Sequence, residues 1–238
     1  MTDEQAQLKQ DAGEYAVRFV KSGMVVGLGH GTTAIFAIRR LAERIEDGRL
    51  TDILGVPCSL QVAKDARALG IPLTTLNDHP VVDVTIDGAD EVDPWCDVIK
   101  GGGGALLREK IVAQATRREV IVVDPSKLSE SLGAQWAVPV EVVSFGWQTQ
   151  IGFLESMGAN VEVRYTESGN LLKTDQGNLI LDCDFGPMHE PSTIAATLAS
   201  RAGIVEHGLF LGLVDDVIVA EPDGIRHLRA GRGRYDPV

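Results

Sequence analysis

Three short segments of the chain carry the residue types that chemistry needs. The first is Gly27-Leu28-Gly29-His30-Gly31-Thr32-Thr33-Ala34, running from strand-like into helix-like sequence. A helix N-terminus leaves N–H groups unpaired and carries the positive dipole end, which suits a phosphate. The Thr32 and Thr33 hydroxyls add donors. No Gly-Lys-Ser/Thr follows, so the segment is not a P-loop. Nor is it a dinucleotide fingerprint: counting from Gly27, the third glycine position holds Thr32. The end of the next strand offers Pro57 and Cys58, not the acidic residue that holds a ribose. On spacing alone, a phosphate site and a plain capped turn stay equally open.

The second segment is Thr85-Ile86-Asp87-Gly88-Ala89-Asp90-Glu91-Val92-Asp93. Alternation through 81–87 makes Asp87 the carboxyl end of a strand, where open α/β sheets bind ligands. Four carboxylates crowd one loop, without the spacing of a twelve-residue calcium loop. An Asx turn or a helix cap is the competing use. The third segment is Lys100-Gly101-Gly102-Gly103-Gly104-Ala105-Leu106-Leu107-Arg108-Glu109-Lys110. Glycines between a strand and its covering helix cost conformational entropy. Close approach of N–H groups to a substrate oxygen explains them better than a linker does. Glu109 falls in the opening turns of the helix, where a charge on a solvent face is the bland alternative. Helix dipoles would lower a carboxylate there and burial would raise it. Sequence leaves that balance open. Carboxylates, a lysine and an anion-binding turn, all expected at carboxyl ends of parallel strands, point to proton transfer beside a carbonyl of a phosphorylated substrate.

These segments need a scaffold. Apolar spacing predicts helices over 4–20, 35–45, 62–69 and 105–116, and strands over 24–28, 53–56, 71–76, 81–87, 97–100 and 119–124. Strands alternating with helices imply a parallel sheet covered on both faces. Beyond about residue 135 the rhythm changes. Strands are expected over 138–143, 160–165, 178–184 and 209–212, with helices over 148–157 and 191–201. The pair 160–165 and 178–184 reads as a hairpin. The order β-α-β-β-α-β is that of a ferredoxin-like unit. A strand over 216–220 is expected to return to the first sheet. The fold class is therefore α/β: a Rossmann-like parallel sheet over 1–134 plus 213–238, and a smaller α+β ferredoxin-like domain over 135–212.

Composition narrows the function. With 22 Lys+Arg against 34 Asp+Glu the net charge is −12 over 238 residues, so no basic face for nucleic acid is expected. A local cluster of N–H groups and lysines can still hold an anion. The 3 cysteines, Cys58, Cys96 and Cys183, form no Cys-x-x-Cys, so neither a disulfide framework nor a zinc site is expected, in keeping with a reducing cytosol. No run approaches the ~20 apolar residues of a membrane span. The first residues are acidic and amphipathic, unlike a signal peptide.

The second and third segments, in this order, resemble type A ribose-5-phosphate isomerase. The resemblance extends through Val123-Asp124-Pro125-Ser126-Lys127, Pro139-Val140-Glu141-Val142, Gly177-Asn178-Leu179-Ile180-Leu181-Asp182 and Glu221-Pro222-Asp223-Gly224. It implies metal-free and cofactor-free interconversion of ribose 5-phosphate and ribulose 5-phosphate, a step of the non-oxidative pentose phosphate pathway. It implies a cytoplasmic homodimer or homotetramer with no nucleic-acid or membrane partner. Residue by residue, Glu109 matches the family's base and Lys100 the cation beside the developing oxyanion. Asp87 and Asp90 match the carboxylates that hold the sugar and assist ring opening. Gly88, Ala89, Gly101, Gly102 and Gly103 match substrate-contacting loops. His30, Gly31, Thr32 and Thr33 match the other substrate-binding turn, and Lys127 and Lys9 match further polar contacts. The family's usual turn reads Gly-Thr-Gly-Ser-Thr-Ala, so His30 is a departure that bears on affinity rather than reaction class. Two other readings stay open. One is a non-catalytic sugar-phosphate sensor, which needs the turn but not the base. The other is an acyl-CoA transferase-like enzyme, for which neither a Glu nucleophile nor a CoA site stands out.

Overall fold

The computed structural model describes residues 2–231. The part of the expected first domain at 232–238, and Met1, lie outside the described residues. In chain order the first elements are α1 (Asp3–Ala16), β1 (Val25–Leu28), α2 (Ala34–Glu46), β2 (Leu54–Pro57), α3 (Leu60–Ala68) and β3 (Val84–Asp87). Then come β4 (Glu91–Val92), β5 (Val98–Ile99), α4 (Leu106–Gln114), β6 (Glu119–Val123), β7 (Val138–Val142), α5 (Gln148–Ser156) and β8 (Asn160–Val163). The chain continues through β9 (Leu179–Asp184), α6 (Pro191–Ala199), β10 (Ile204–His207), β11 (Leu209–Phe210), β12 (Asp216–Glu221) and β13 (Gly224–Arg229).

The main sheet runs β13-β12-β6-β3-β1-β2. Its strands are parallel except β13, which pairs antiparallel with β12. Val26, Leu28, Val84, Ile86, Val120 and Val122 share one apolar cluster with α1, α2 and α3. Ile121, Val123, Val217 and Val219 cluster on the other side with Ala113 of α4. Each strand alternates its side chains, so both faces are dry and the runs are β-branched. From β1 the chain moves outward to β2 and then returns to β3 on the other side of β1. That reversal opens a crevice between the carboxyl ends of β1 and β3, the place where such sheets bind ligands.

The second sheet runs β10-β7-β9-β8, all antiparallel, with α5 and α6 between its strands in sequence. This is the ferredoxin-like order, and 160–163 and 179–184 do pair as a hairpin. Several expectations need correction. The strand closing this sheet is 204–207, not 209–212. Residues 209–210 join 98–99 and 91–92 in a small antiparallel sheet, β11-β5-β4. Lys100 therefore leaves an antiparallel strand, not a parallel one. Residues 71–76 make only an isolated bridge, Leu73 to Gly55, and the strand expected over 81–87 begins at Val84. Periodicity alone could not separate these short apolar runs from true strands, because pairing is a tertiary event. The terminal strand β13, six residues of mixed exposure, was absent from the sequence reading.

The two larger sheets are tied across the small one. Lys110 on α4 reaches Glu206 Oε1 at 2.7 Å and the His207 carbonyl at 2.6 Å, both on β10. Burial lowers the Lys110 pKa, against the pull of Glu206.

Close approach at the crevice leaves no room for a side chain at Gly29. A Cβ there would sit 2.4 Å from both the Asp87 Cα and the Ile86 carbonyl oxygen. Both are backbone atoms that cannot yield alone. Gly29→Ala should lower Tm by several degrees, on the order of 1–3 kcal/mol for overpacking. An unchanged melting curve would contradict this packing.

Candidate active site

Asp87 ends β3, Lys100 follows β5, and Glu109 lies one turn inside α4. The fold brings all three side chains together in the interior, at 1%, 2% and 4% exposure respectively. Lys100 Nζ lies 3.0 Å from Asp87 Oδ2 and 2.9 Å from Glu109 Oε1, and it also donates to the Gly88 carbonyl. The ammonium thus hydrogen-bonds Glu109 and the Gly88 carbonyl and is ion-paired with Asp87, whose Oδ2 has no hydrogen-bond donor among the described residues. Asp87 Oδ1 accepts from the N–H groups of His30, at 2.9 Å, and Gly88, at 2.7 Å. Glu109 Oε2 is buried and meets no donor among the described residues. That oxygen is free to take a proton.

Burial is the largest influence on Glu109 and raises it. Lys100 pulls it down, Asp87 pushes it up, and the result lies at about 8. Burial pulls Lys100 down, but Asp87 and Glu109 more than reverse that, so it stays an ammonium. Behind them Glu119 on β6 stands in register with Thr85, 2% exposed, with Oε2 unpartnered. Burial, then Asp87, raises its pKa well above the usual glutamate value.

Above this triad lies a cleft of about 100 Å³ that opens to solvent. His30, Gly31, Thr32 and Thr33 form one wall, and Gly88, Ala89 and Asp90 form another. Gly101, Gly102 and Gly103 cover it, with Lys100 and Glu109 at the floor and Lys9 and Lys127 at the rim. The one expected site residue outside this lining is Asp87, which lies beneath it and is bonded to Lys100. Lys9 on α1 donates to Thr32 Oγ1 at 2.8 Å. Thr33 precedes α2 but makes no side-chain cap bond, so its hydroxyl is not spent on the helix.

The acidic loop sorts into two jobs. Asp90 Oδ2 accepts from Gly102 N–H at 2.7 Å and so belongs to the cleft. Glu91 is fully buried on the opposite side of its strand and accepts from Gly133 and Gln135 N–H groups. Asp93 Oδ1 accepts from the Trp95 and Asp97 N–H groups of its own turn. These two carboxylates are structural.

Sequence reasoning missed four residues around the site. Ser59 caps α3 by accepting from Val62 N–H, and its hydroxyl lies 2.9 Å from His30 Nδ1. Trp136 places its ring 4.8 Å from Lys127 Nζ. Glu119 and Arg164 are the others, and Arg164 reaches the glycine loop from β8's end. No motif flags them, since each acts through distance in space rather than spacing in sequence.

The family model described as Ribose 5-phosphate isomerase A (phosphoriboisomerase A) matches residues 54–224. The chain belongs to the ribose-5-phosphate isomerase A family. A relative of that name from Chloroflexus aurantiacus is 57% identical over 220 residues, 92% of this chain and 92% of the relative. One from Desulfatibacillum aliphaticivorans is 56% identical over 230 residues, covering 97% and 100%. The solved ribose 5-phosphate isomerase of Plasmodium falciparum superposes with a TM-score of 0.92 at 35% identity, covering 97% of this chain and 100% of that one. A D-ribose-5-phosphate isomerase solved with phospho-erythronic acid also gives 0.92 at 35% identity, covering 96% and 100%. Likeness of this extent makes the family's fold and this chain's fold the same.

Glu109 is held by one cation. In Lys100→Met, burial and Asp87 would act on Glu109 unopposed and drive its pKa higher. A base works deprotonated, so the acid limb of kcat/KM should move to higher pH and the neutral-pH rate should fall. A pH–rate profile checks this; an unmoved limb would separate Lys100 from the base.

Proposed function

We propose that this chain interconverts D-ribose 5-phosphate and D-ribulose 5-phosphate by proton transfer through an enediolate. The observation that carries the reading is the buried Asp87–Lys100–Glu109 cluster beneath a glycine loop, in a chain of this family. Lys9, Lys127, Thr32 and Thr33 would take the phosphate, a local positive edge on a protein of net charge −12. Asp87 and Asp90 would hold the sugar hydroxyls and assist ring opening. Glu109 would move the proton between C2 and C1. Lys100 and the loop N–H groups would stabilise the enediolate oxygen, often the largest single contribution in such reactions. The route handles its charge with an ammonium and N–H dipoles and calls on no metal. A phospho-erythronic acid complex in a related isomerase supports it, because that ligand carries a phosphate and a carboxylate on a four-carbon chain.

A sensor on the same scaffold would need the phosphate turn only. The orphaned Glu109 oxygen and its raised pKa favour the enzyme. We further infer a two-domain division at 1–134 with 213–238 against 135–212, a homodimeric or homotetrameric assembly, and a cytoplasmic setting. Among the described residues no helix is long and apolar enough to cross a membrane.

Glu109→Gln keeps the shape and removes the base. Its kcat should fall on the order of 10²–10⁴-fold with little change in phosphate affinity. Turnover in heavy water should place deuterium at C1 of ribulose 5-phosphate, and a chelator should leave the rate unchanged. Near-normal turnover of Glu109→Gln would move the base elsewhere, with Asp87 the first candidate. Chelator inhibition without solvent deuterium would instead mean a metal-assisted hydride shift.

The phosphate wall should act on binding. Thr33→Ala should raise KM far more than it lowers kcat, because phosphate contacts are alike in ground and transition states. A pure kcat loss would take Thr33 out of that role.

A further inference from the structure

The glycine loop belongs to the main-sheet side of the cleft, but its geometry is held from the other sheet. Arg164 follows β8. Its Nε donates to Asp182 Oδ2 at 2.8 Å, and its Nη2 donates to Asp182 Oδ1. Asp182 lies on β9, so the guanidinium is fixed by a forked pair to its own sheet. Its remaining nitrogen, Nη1, crosses to the loop. It donates to the Gly101 carbonyl at 2.8 Å and to the Gly102 carbonyl at 3.1 Å. The Arg164 side chain is 14% exposed.

A trans peptide points its C=O and the following N–H in opposite directions. Holding two carbonyls therefore aims two N–H groups. The Gly101 carbonyl shares its peptide with Gly102 N–H, which meets Asp90 Oδ2 at 2.7 Å. The Gly102 carbonyl shares its peptide with Gly103 N–H. That N–H points away from Arg164, and among the described residues no acceptor takes it. Gly103 lines the cleft, and a Cβ on it would lie 2.5 Å from His30 Nε2. The loop's other constraint is weaker: a single turn bond from Gly104 N–H to the Gly101 carbonyl at 3.0 Å. Glycines at 101 and 104 adopt φ of +103° and +81° and do not hold the loop by themselves.

We propose that Arg164, fixed by Asp182, is a positioning residue that aims the Gly103 N–H as an oxyanion donor for the isomerase reaction. The proposal rests on the isomerase reading of the cleft. It makes the ferredoxin-like sheet a working part of the site, since the loop's dipoles are set from there. Arg164 itself touches the loop carbonyls and need not touch substrate.

Two measurements test it. Amide hydrogen exchange of the 101–104 segment reads the clamp with no reference to catalysis. Arg164→Ala should speed that exchange more than about tenfold while the strands of the main sheet keep their protection. Kinetics read the consequence. Loss of one oxyanion donor costs roughly 10²–10³-fold in kcat, and a donor misaimed but present should cost about 10–100-fold. Arg164→Lys keeps the charge but cannot fork to Asp182 and reach both carbonyls. It should show that kcat loss with KM changed less than about threefold. Asp182→Asn should give an intermediate loss. Methylguanidinium, at a non-denaturing concentration, should restore part of the Arg164→Ala rate without restoring its Tm, which a merely structural role would not allow. Unchanged exchange in Arg164→Ala overturns the clamp. Unchanged kcat in both Arg164 variants, or an effect confined to KM, overturns the oxyanion role. Absence of ribose 5-phosphate turnover in the wild-type chain would defeat the isomerase reading and with it the oxyanion role, while the exchange measurement still decides the clamp.

Discussion

One buried ammonium sets the terms for this site. Lys100 is nearly inaccessible to water and stands about equally far from two carboxylates, Asp87 and Glu109. Taking each ion from water costs several kcal/mol, and only close, well-directed partners offset that. At 3 Å and an effective dielectric constant near 20, each attraction is roughly 5 kcal/mol. One positive charge against two carboxylates still leaves the cluster short of a cation. Burial first, and then this excess of negative charge, raises the pKa of Glu109, whose Oε2 has no donor among the described residues. A carboxylate held near neutral pKa is what a proton acceptor needs, so the instability of the cluster and its chemistry have one cause.

The scaffold exists to hold those three groups at that distance. Asp87 arrives at the carboxyl end of a parallel strand, Lys100 from a short antiparallel strand, and Glu109 from the helix α4. Gly29 lets the β1 turn press against the end of β3, and the His30 N–H then fixes Asp87. Glu91 is buried to hold the Gly133 and Gln135 N–H groups, so the same acidic loop also shapes the segment leading to the second sheet. Lys110 and Arg164 carry that connection on, one from each side of the junction.

The glycine run gains its meaning from this arrangement. Free in water, four glycines would sample many conformations. Here one carbonyl pair is gripped by Arg164 and one N–H by Asp90, so the ordering cost is met by groups from two sheets. The Gly103 N–H has no acceptor among the described residues, and Gly103 lines the cleft. Preorganised dipoles of this kind need no rearrangement when charge develops.

The sequence alone determined the α/β class and the hairpin of the smaller sheet, and its motifs together with the family resemblance named all fourteen residues that line the cleft, with Asp87 beneath it. It could do so because strand-to-helix turns, glycine runs and carboxylates at strand ends are local patterns with local physics. Which carboxylates of 87–93 serve the site was not local. Asp87 and Glu91 are both buried, and only packing against 133–135 makes Glu91 structural. The short strands 98–99 and 209–210 were misplaced for the same reason, since two residues acquire a sheet only from their partners. The rise of Glu109 could not be read either, because the helix dipole and burial act in opposite directions and only the closed interior decides between them. Arg164, sixty-odd residues from the loop it holds, lies beyond any spacing rule. Tertiary structure alone brings it there, because a long-range hydrogen bond leaves no periodic trace in the chain.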